Sequence, residues 1–372
     1  MFYDELQKYD WDTTTQTILS KTSADVERAL RNPRPGIDDF MALVSPAAAP
    51  YIEQMAALSR KLTLERFGKT ISMYIPLYVS NACTNACVYC GFNHANPLTR
   101  ITLTEEQVER ECEAIKRLGP FENLLIVSGE FPALNGVNYL EKVLKIADRY
   151  FANLTIEVMP MKQADYERLI RSGLNGVVCF QETYHEQAYN KYHPRGMKSI
   201  FKWRVNGFDR MGAAGLHKIG MGVLIGLEDW RTDVVMMARH LQYLRRHYWR
   251  SRFSINFPRL CPAEGGYKPN VVMTDRELAQ LTFAFRIFDR DVDISYSTRE
   301  APAFRANMMS LGVTSMSAGS KTDPGGYAVA QDSLAQFEVT DVRTPLQVAS
   351  EIHSLGYEPV WKDWDRSFNI VQ

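Results

Sequence analysis

No apolar run in this 372-residue sequence approaches the roughly 20 residues that a membrane helix needs, so a membrane partner is not expected. Net charge is missing too: 43 basic side chains balance 43 acidic ones. There is then no long-range field to recruit a polyanion and no basic stripe, which argues against nucleic acid. Residues 1–10 carry acids and aromatics where a secretory leader would carry a basic start and an apolar segment, and a cytoplasmic location is expected. Six cysteines are too few for a disulfide scaffold in a chain of this length. Internal repeats and low-complexity tracts are absent, and the histidines form no spaced cluster. A dinucleotide loop is lacking as well. Gly220-Met221-Gly222 with Gly226 fails the G-x-G-x-x-G spacing and lies inside a β-run.

What is present is ordinary globular composition, 45% hydrophobic and 23% charged, with a clear change of pattern near residue 70. Residues 1–69 read as a helical extension: a capped start lies at Ser23, and residues 51–64 repeat apolar side chains at helical spacing before Gly68. From residue 70 onward short β-type runs alternate with helical segments. The predicted strands are 71–79, 124–128, 155–159, 176–182, 219–225, 253–257, 294–298 and 313–317. Between the first two, Thr104 and Gln107 form a capping box, and Val108, Cys112 and Ile115 share one helix face. Eight such units over residues 70–322 predict an α/β fold, a (β/α)8 TIM-type barrel, with a doubly wound sheet as the alternative. Residues 323–372 form a C-terminal extension with a turn at Pro324-Gly325-Gly326 and a helix over 345–355. In a barrel all strand ends share one face, and polar residues gather there. On the seventh strand the alternation places Ser295, Ser297 and Arg299 toward the lumen. An arginine there needs an anion, either a ligand carboxylate or a structural partner such as Glu300.

Three of the six cysteines are clustered directly after the first strand, Cys83, Cys87 and Cys90 in C-x3-C-x2-C. Close spacing lets three thiolates meet one 4Fe-4S cluster without closing a long loop. One iron then lacks a protein ligand, and S-adenosylmethionine (SAM) can chelate it through its amino and carboxylate groups. The competing arrangement is structural zinc with His94 as a fourth ligand, in a binding scaffold without turnover. Cys112 and Cys179 sit in apolar runs and read as core residues; Cys261 lies in a loop.

Residues 83–92 resemble the signature of the radical SAM superfamily. Seven further segments resemble its aromatic amino acid lyase branch: Tyr74-Ile75-Pro76-Leu77-Tyr78, Ser128-Gly129-Glu130, Gln181-Glu182-Thr183-Tyr184, Phe257-Pro258-Arg259-Leu260, Ser297-Thr298-Arg299-Glu300, Pro324-Gly325-Gly326-Tyr327 and Trp361-Lys362-Asp363-Trp364-Asp365. The resemblance implies cluster ligands at Cys83, Cys87 and Cys90, and a site for the SAM amino group at Ser128, Gly129 and Glu130. It implies Glu157 at the ribose, Arg204 at the SAM carboxylate, and Phe92 with Leu224 or Ile225 at the adenine. Surface pairing near Asp209 and Arg210 is the other fate open to Arg204. On the substrate side it implies Tyr78, Ser297, Arg299 and Ser317, with Arg299 on an amino acid carboxylate and Tyr78 as one possible base.

The implied reaction is radical cleavage of the Cα–Cβ bond of L-tyrosine to 2-iminoacetate and p-cresol, supplying the thiazole of thiamine. Implied partners are thiazole synthase and a flavodoxin- or ferredoxin-type electron donor. Within the branch, a tryptophan lyase and a deazaflavin synthase-like activity are the alternatives. A hydrogenase-maturation lyase would carry a second cysteine cluster near its C-terminus, and no cysteine follows Cys261.

Overall fold

The computed structural model describes residues 1–329 and 334–364. Asp365, the last residue of one matched segment, lies outside them. Eight parallel strands form the wall of a barrel: β1 (Thr70–Ser80), β2 (Asn123–Ser128), β3 (Asn153–Glu157), β4 (Leu174–Glu182), β5 (Lys218–Val223), β6 (Arg252–Asn256), β7 (Asp293–Tyr296) and β8 (Ser315–Ser317). Each pairs with the next, and β1 pairs with both β2 and β8, closing the wall. All eight predicted strands are found. Closure removes sheet edges and excludes the doubly wound alternative. Among the described residues no helix is long and apolar enough to cross a membrane.

The alternation of β1 explains its place. Ile71, Met73, Ile75, Leu77 and Val79 are fully buried against the surrounding helices, each worth roughly 1.5–3 kcal/mol of burial. Ser72, Tyr74, Pro76 and Tyr78 border the lumen instead. Barrels of this class usually fill the lumen with branched apolar side chains. Here it is lined by serines, asparagines and charged groups and contains a cavity. The far end is closed by polar contacts. Lys218 Nζ meets Asp293 at 2.9 Å, and Ser72 Oγ donates to Asp363 Oδ2 at 2.9 Å.

A ninth strand, β9 (Glu358–Val360), was not expected. Its three residues are too short for any periodicity. It exists because β1 has eleven residues, and β2 pairs only with Ile75 and beyond. Thr70, Ile71 and Ser72 would otherwise present a bare edge, which β9 covers in parallel register. The helical segment expected over 200–211 is divided at Asn206, which separates helices Phe201–Val205 and Gly207–Ala213. A helix over Pro302–Met309 also went unread in the sequence.

The N-terminal helices pack outside the barrel. Phe2 stacks on His240 with centroids 3.8 Å apart, and Phe40 meets Phe285 at 4.7 Å. The extension therefore buttresses helices Trp230–His247 and Asp275–Phe288 and leaves the strand ends free. The C-terminal segment is anchored by a buried ion pair, Arg305 with Asp341, and Arg305 also donates to the carbonyl of Ser317 at the end of β8.

Removing one member of a buried pair strands the other in a poor solvent. Asp341 keeps a second partner in Arg343, whereas Arg305 has no other ion pair among the described residues. Asp341→Asn is therefore expected to lower stability by roughly 3 kcal/mol, read as a fall in urea midpoint. A midpoint equal to the parent's would refute the anchoring role.

Candidate active site

The cysteine loop leaves β1 at Ser80, just past a register break between Tyr78 and Ser80. Its backbone is held from several sides. The Asn81 side chain accepts from Ile101 N at 2.6 Å and donates to Thr99 O at 2.9 Å. The Arg100 guanidinium donates to the carbonyls of Asn81, Phe92 and Asn93. Thr84 N donates to Glu130 O at 2.8 Å. Gly129 must be glycine here. A Cβ at that position would lie 2.4 Å from the Ala82 carbonyl oxygen, so only a bare backbone lets β2's end approach the loop.

Cys87 is buried, and burial pushes its thiol up to about 12. Burial raises Cys90 in the same direction. Metal binding therefore has to release protons from these groups. The donor set suits a 4Fe-4S cluster with one open iron: three soft sulfur donors in one loop and, among the described residues, no fourth in that loop. His94 is exposed, and its Nδ1 lies 3.4 Å from the Cys83 carbonyl oxygen, so it is not set as a zinc ligand. Among the described residues no group of three or more His, Cys, Asp and Glu side chains is arranged to hold an ion as it stands. Cys112 and Cys179 are core residues as expected, while Cys261 borders the cavity.

The cavity runs from Cys90 down the lumen to Asp363. Tyr78, Glu157, Leu224, Ser297, Arg299 and Ser317 all border it. The predicted β7 row is therefore in place. Ser317 Oγ accepts from Thr298 N at 3.2 Å, which fixes β8 against the end of β7. Glu300, the competing partner for Arg299, is occupied by Arg259, whose Nε lies 3.0 Å from Glu300 Oε2. Among the described residues Arg299 has no ion-pair partner. Its Cζ sits 3.3 Å from the ring centroid of Phe337. Burial, with the nearby Glu182 carboxylate adding to it, raises Glu157 to about 7, against the opposing pull of Arg299. Tyr78 is pushed well above the ordinary tyrosine value by burial and then by Glu157. Its hydroxyl donates to Gln336 Oε1 at 2.8 Å.

Other predicted residues stand behind this wall. Phe92 is buried edge-on to Tyr78, with centroids 6.0 Å apart. Ser128 Oγ donates to its neighbour's carbonyl at 2.9 Å. The Glu130 carboxylate accepts from Asn85 Nδ2 at 2.7 Å and so braces the cysteine loop. Arg204 is buried, which removes the surface-pairing alternative, and its Nε donates to Phe180 O at 2.5 Å. The structure separates Leu224 from Ile225: the first borders the cavity, the second packs in the main core. Gly220 and Gly222 make room for protein groups, since a Cβ at 222 would lie 2.4 Å from the Phe180 ring.

Three residues gave no usable signal as cavity groups. Glu182 was visible as a polar strand end within a matched segment but was given no role, yet it is the one non-glycine with positive φ, 72°, among the described residues. Such a conformation is costly and persists only where the surrounding structure holds it, here beside a register break between Phe180 and Glu182. Its carboxylate meets Lys198 Nζ at 2.6 Å. Lys198 sits in a three-residue 3-10 turn, Met197–Ser199, and Gln336 in an irregular segment, where no periodicity could single them out.

Residues 77–238 match the Radical SAM superfamily and residues 256–358 the Biotin and Thiamin Synthesis associated domain. The sequence is 47% identical over 365 residues to 2-iminoacetate synthase of Salmonella typhimurium (strain LT2), spanning 98% of this chain and 97% of that protein. The chain belongs to the 2-iminoacetate synthase family of radical SAM enzymes. The 2-iminoacetate synthase of Escherichia coli (strain K12) is equally similar, at 47% over 98% of the chain. Among solved structures, HydG, a maturase of the [FeFe]-hydrogenase, superposes with a TM-score of 0.86 at 29% identity, over 96% of this chain and 78% of that one. Methylornithine synthase (PylB) shares the fold, with a TM-score of 0.72 at 19% identity over 90% of this chain and 97% of that one. As in the radical SAM superfamily at large, this family member uses a 4Fe-4S cluster and SAM. The first match ends at residue 238, after β5, and the second begins at residue 256, the last of β6, so both contribute strands to one barrel wall.

Two outcomes are expected at this site. Gly129→Ala should assemble less cluster, because the clash is with backbone, and iron content after anaerobic reconstitution measures it. A folded variant with full iron would contradict the close-approach reading. A carboxyl raised from 4.5 to about 7 stabilises the fold fully below about 4.5 and loses that contribution as pH rises through about 7. The effect is at most about 3 kcal/mol, less where lumen water reaches the group. Without SAM, Glu157→Gln should flatten the decline of melting temperature between pH 5 and pH 8, and an unchanged slope would count against the raised value.

Proposed function

We propose that this chain cleaves the Cα–Cβ bond of L-tyrosine, giving 2-iminoacetate and p-cresol, while SAM is converted to 5'-deoxyadenosine and methionine. The hydrogen taken from the amine ends in 5'-deoxyadenosine, and two electrons from the reductant with one proton balance the sum, that proton replacing the lost hydrogen in p-cresol. The observation that carries the reading is Arg299. It is a guanidinium in the lumen below the cysteine loop, flanked by Ser297 and Ser317, with no ion-pair partner among the described residues. A planar fork of donors suits a carboxylate, and stacking on Phe337 holds it flat without neutralising it.

Cys83, Cys87 and Cys90 would hold the cluster; Ser128, Gly129, Glu130 and Arg204 support the SAM side. When bound, the cluster and SAM supply one-electron chemistry that produces a carbon radical able to take hydrogen from the substrate amine. Such chemistry needs the amine held within roughly 3–3.5 Å and water excluded. Arg299 fixes the carboxylate and so aims the nitrogen. Abstraction from nitrogen favours a neutral amine, so a proton must leave. Tyr78 is poorly suited to take it, since its hydroxyl already donates to Gln336 and burial disfavours its anion. Glu157, held near 7, is the better acceptor, and we assign it that task in place of the ribose. The reading includes thiazole synthase as consumer of the product, a flavodoxin- or ferredoxin-type donor, and a cytoplasmic setting.

Anaerobic incubation of reconstituted enzyme with reductant, SAM and L-tyrosine should give p-cresol and 5'-deoxyadenosine by mass spectrometry. Products from tryptophan with none from tyrosine would overturn the substrate. Arg299→Ala should weaken tyrosine binding by tenfold or more, corresponding to about 1.4 kcal/mol, and leave SAM binding near the parent value. Unchanged tyrosine affinity would reject the carboxylate role.

A further inference from the structure

The C-terminal segment over residues 334–341 crosses the barrel mouth on the cysteine side. Its backbone lies directly on the loop. Gly91 N donates to Gln336 O at 3.1 Å, and a Cβ at 91 would sit 2.6 Å from that oxygen. The strap is tied down beyond this point. Gln336 N donates to Thr322 O at 2.9 Å, and Thr340 N and Asp341 N both donate to Thr298 O at 3.0 Å. The Gln336 side chain therefore has little freedom. It reaches two groups at once: Nε2 lies 3.7 Å from Cys90 Sγ, and Oε1 accepts from the Tyr78 hydroxyl at 2.8 Å.

The chemistry of the partners sets the orientation of this amide. A metal-bound thiolate only accepts hydrogen bonds, so the NH2 must face Cys90 and the oxygen must face Tyr78. Tyr78 then has to donate, and its hydroxyl proton points at Gln336. An N–H directed at a ligating sulfur favours the more negative, reduced cluster, and hydrogen bonds to sulfur are among the levers that set cluster potentials. The low-dielectric surroundings of Tyr78, Phe92 and Val127 strengthen that bond.

We propose that Gln336 is a positioning residue for the cluster: it donates a hydrogen bond to the Cys90 sulfur, is oriented by Tyr78, and raises the cluster's reduction potential. The proposal rests on the cysteine loop holding a cluster and is independent of which amino acid is cleaved. It also gives the strap a second function, because the next residue, Phe337, stacks on Arg299. One short segment thus contacts a cluster ligand and the substrate-side arginine together.

The test is an EPR-monitored redox titration of the anaerobically reconstituted full chain, without SAM or tyrosine, with iron and sulfide measured on each sample. Gln336→Leu removes the donor. Gln336→Glu keeps the shape and the acceptor for Tyr78 but directs an oxygen at the sulfur. Both should retain the parent's iron content and shift the midpoint to lower potential, Gln336→Glu further than Gln336→Leu. Tyr78→Phe should shift it less, in the same direction, and Phe337→Leu on the same strap should not shift it. Midpoints equal to the parent's in both Gln336 variants would overturn the proposal. Loss of the cluster from both would do so too, by assigning the residue a purely structural role in holding the loop. Because no tyrosine is present, a failure of the lyase reading would leave this titration intact.

Discussion

Closure of the wall by β1 is the constraint on which the remainder of the structure depends. This strand pairs with β8 along its first half and with β2 along its second. Once it does so, every strand end points to one rim, and every inward side chain enters one enclosed space. The alternation of β1, β7 and β8 then becomes a lumen lined by serines, tyrosines and an arginine. Polar side chains at these positions would be a fault in a packed core. In a hollow barrel they line a binding cavity. The extra length of β1 also creates the edge that β9 covers, so closure reaches the C-terminal segment too.

The same rim sets the character of the cysteine loop. It is short, but it is not a free loop: Asn81, Arg100 and the carbonyl of Glu130 occupy its backbone groups, and Gly129 admits β2's end to within contact of Ala82. Rigid support of this kind costs nothing at the moment of reaction and holds the ligating residues near one corner of the mouth. Below that corner, Glu157, Glu182, Lys198, Arg204 and Arg299 form a charged field in a poorly solvated space. Burial raises Glu157 to about 7, with Glu182 adding to it and Arg299, Lys198 and Arg204 opposing, and there a carboxyl can exchange a proton near neutrality.

Much of the fold and part of the site were legible from sequence for a definite reason. Period-two and period-3.6 patterns are local, and Ser295, Ser297 and Arg299 announced their shared face through spacing alone. Cys83, Cys87 and Cys90 stood out because three cysteines lie within eight residues of one another in the chain. The resemblance put Arg204 at the SAM carboxylate with surface pairing as the alternative, and burial beside Phe180 and Glu182 removed that alternative. Leu224 and Ile225 could not be told apart because the end of β5 releases one to the cavity and the other to the core.

By itself, then, the sequence determined the eight-strand alternation, the helical extension, the cluster of three cysteines and the polar row beneath them. It could do so because each depends on neighbours a few positions apart. The tertiary structure alone decided the ninth strand, the Glu182–Lys198 pair, the freedom of Arg299 from Glu300, and the strap that sets Gln336 against Cys90 and Tyr78. Those features join residues far apart in the chain, Gln336 lying 246 positions from Cys90. No local pattern encodes such a meeting; it follows only when the closed barrel fixes where each loop must cross.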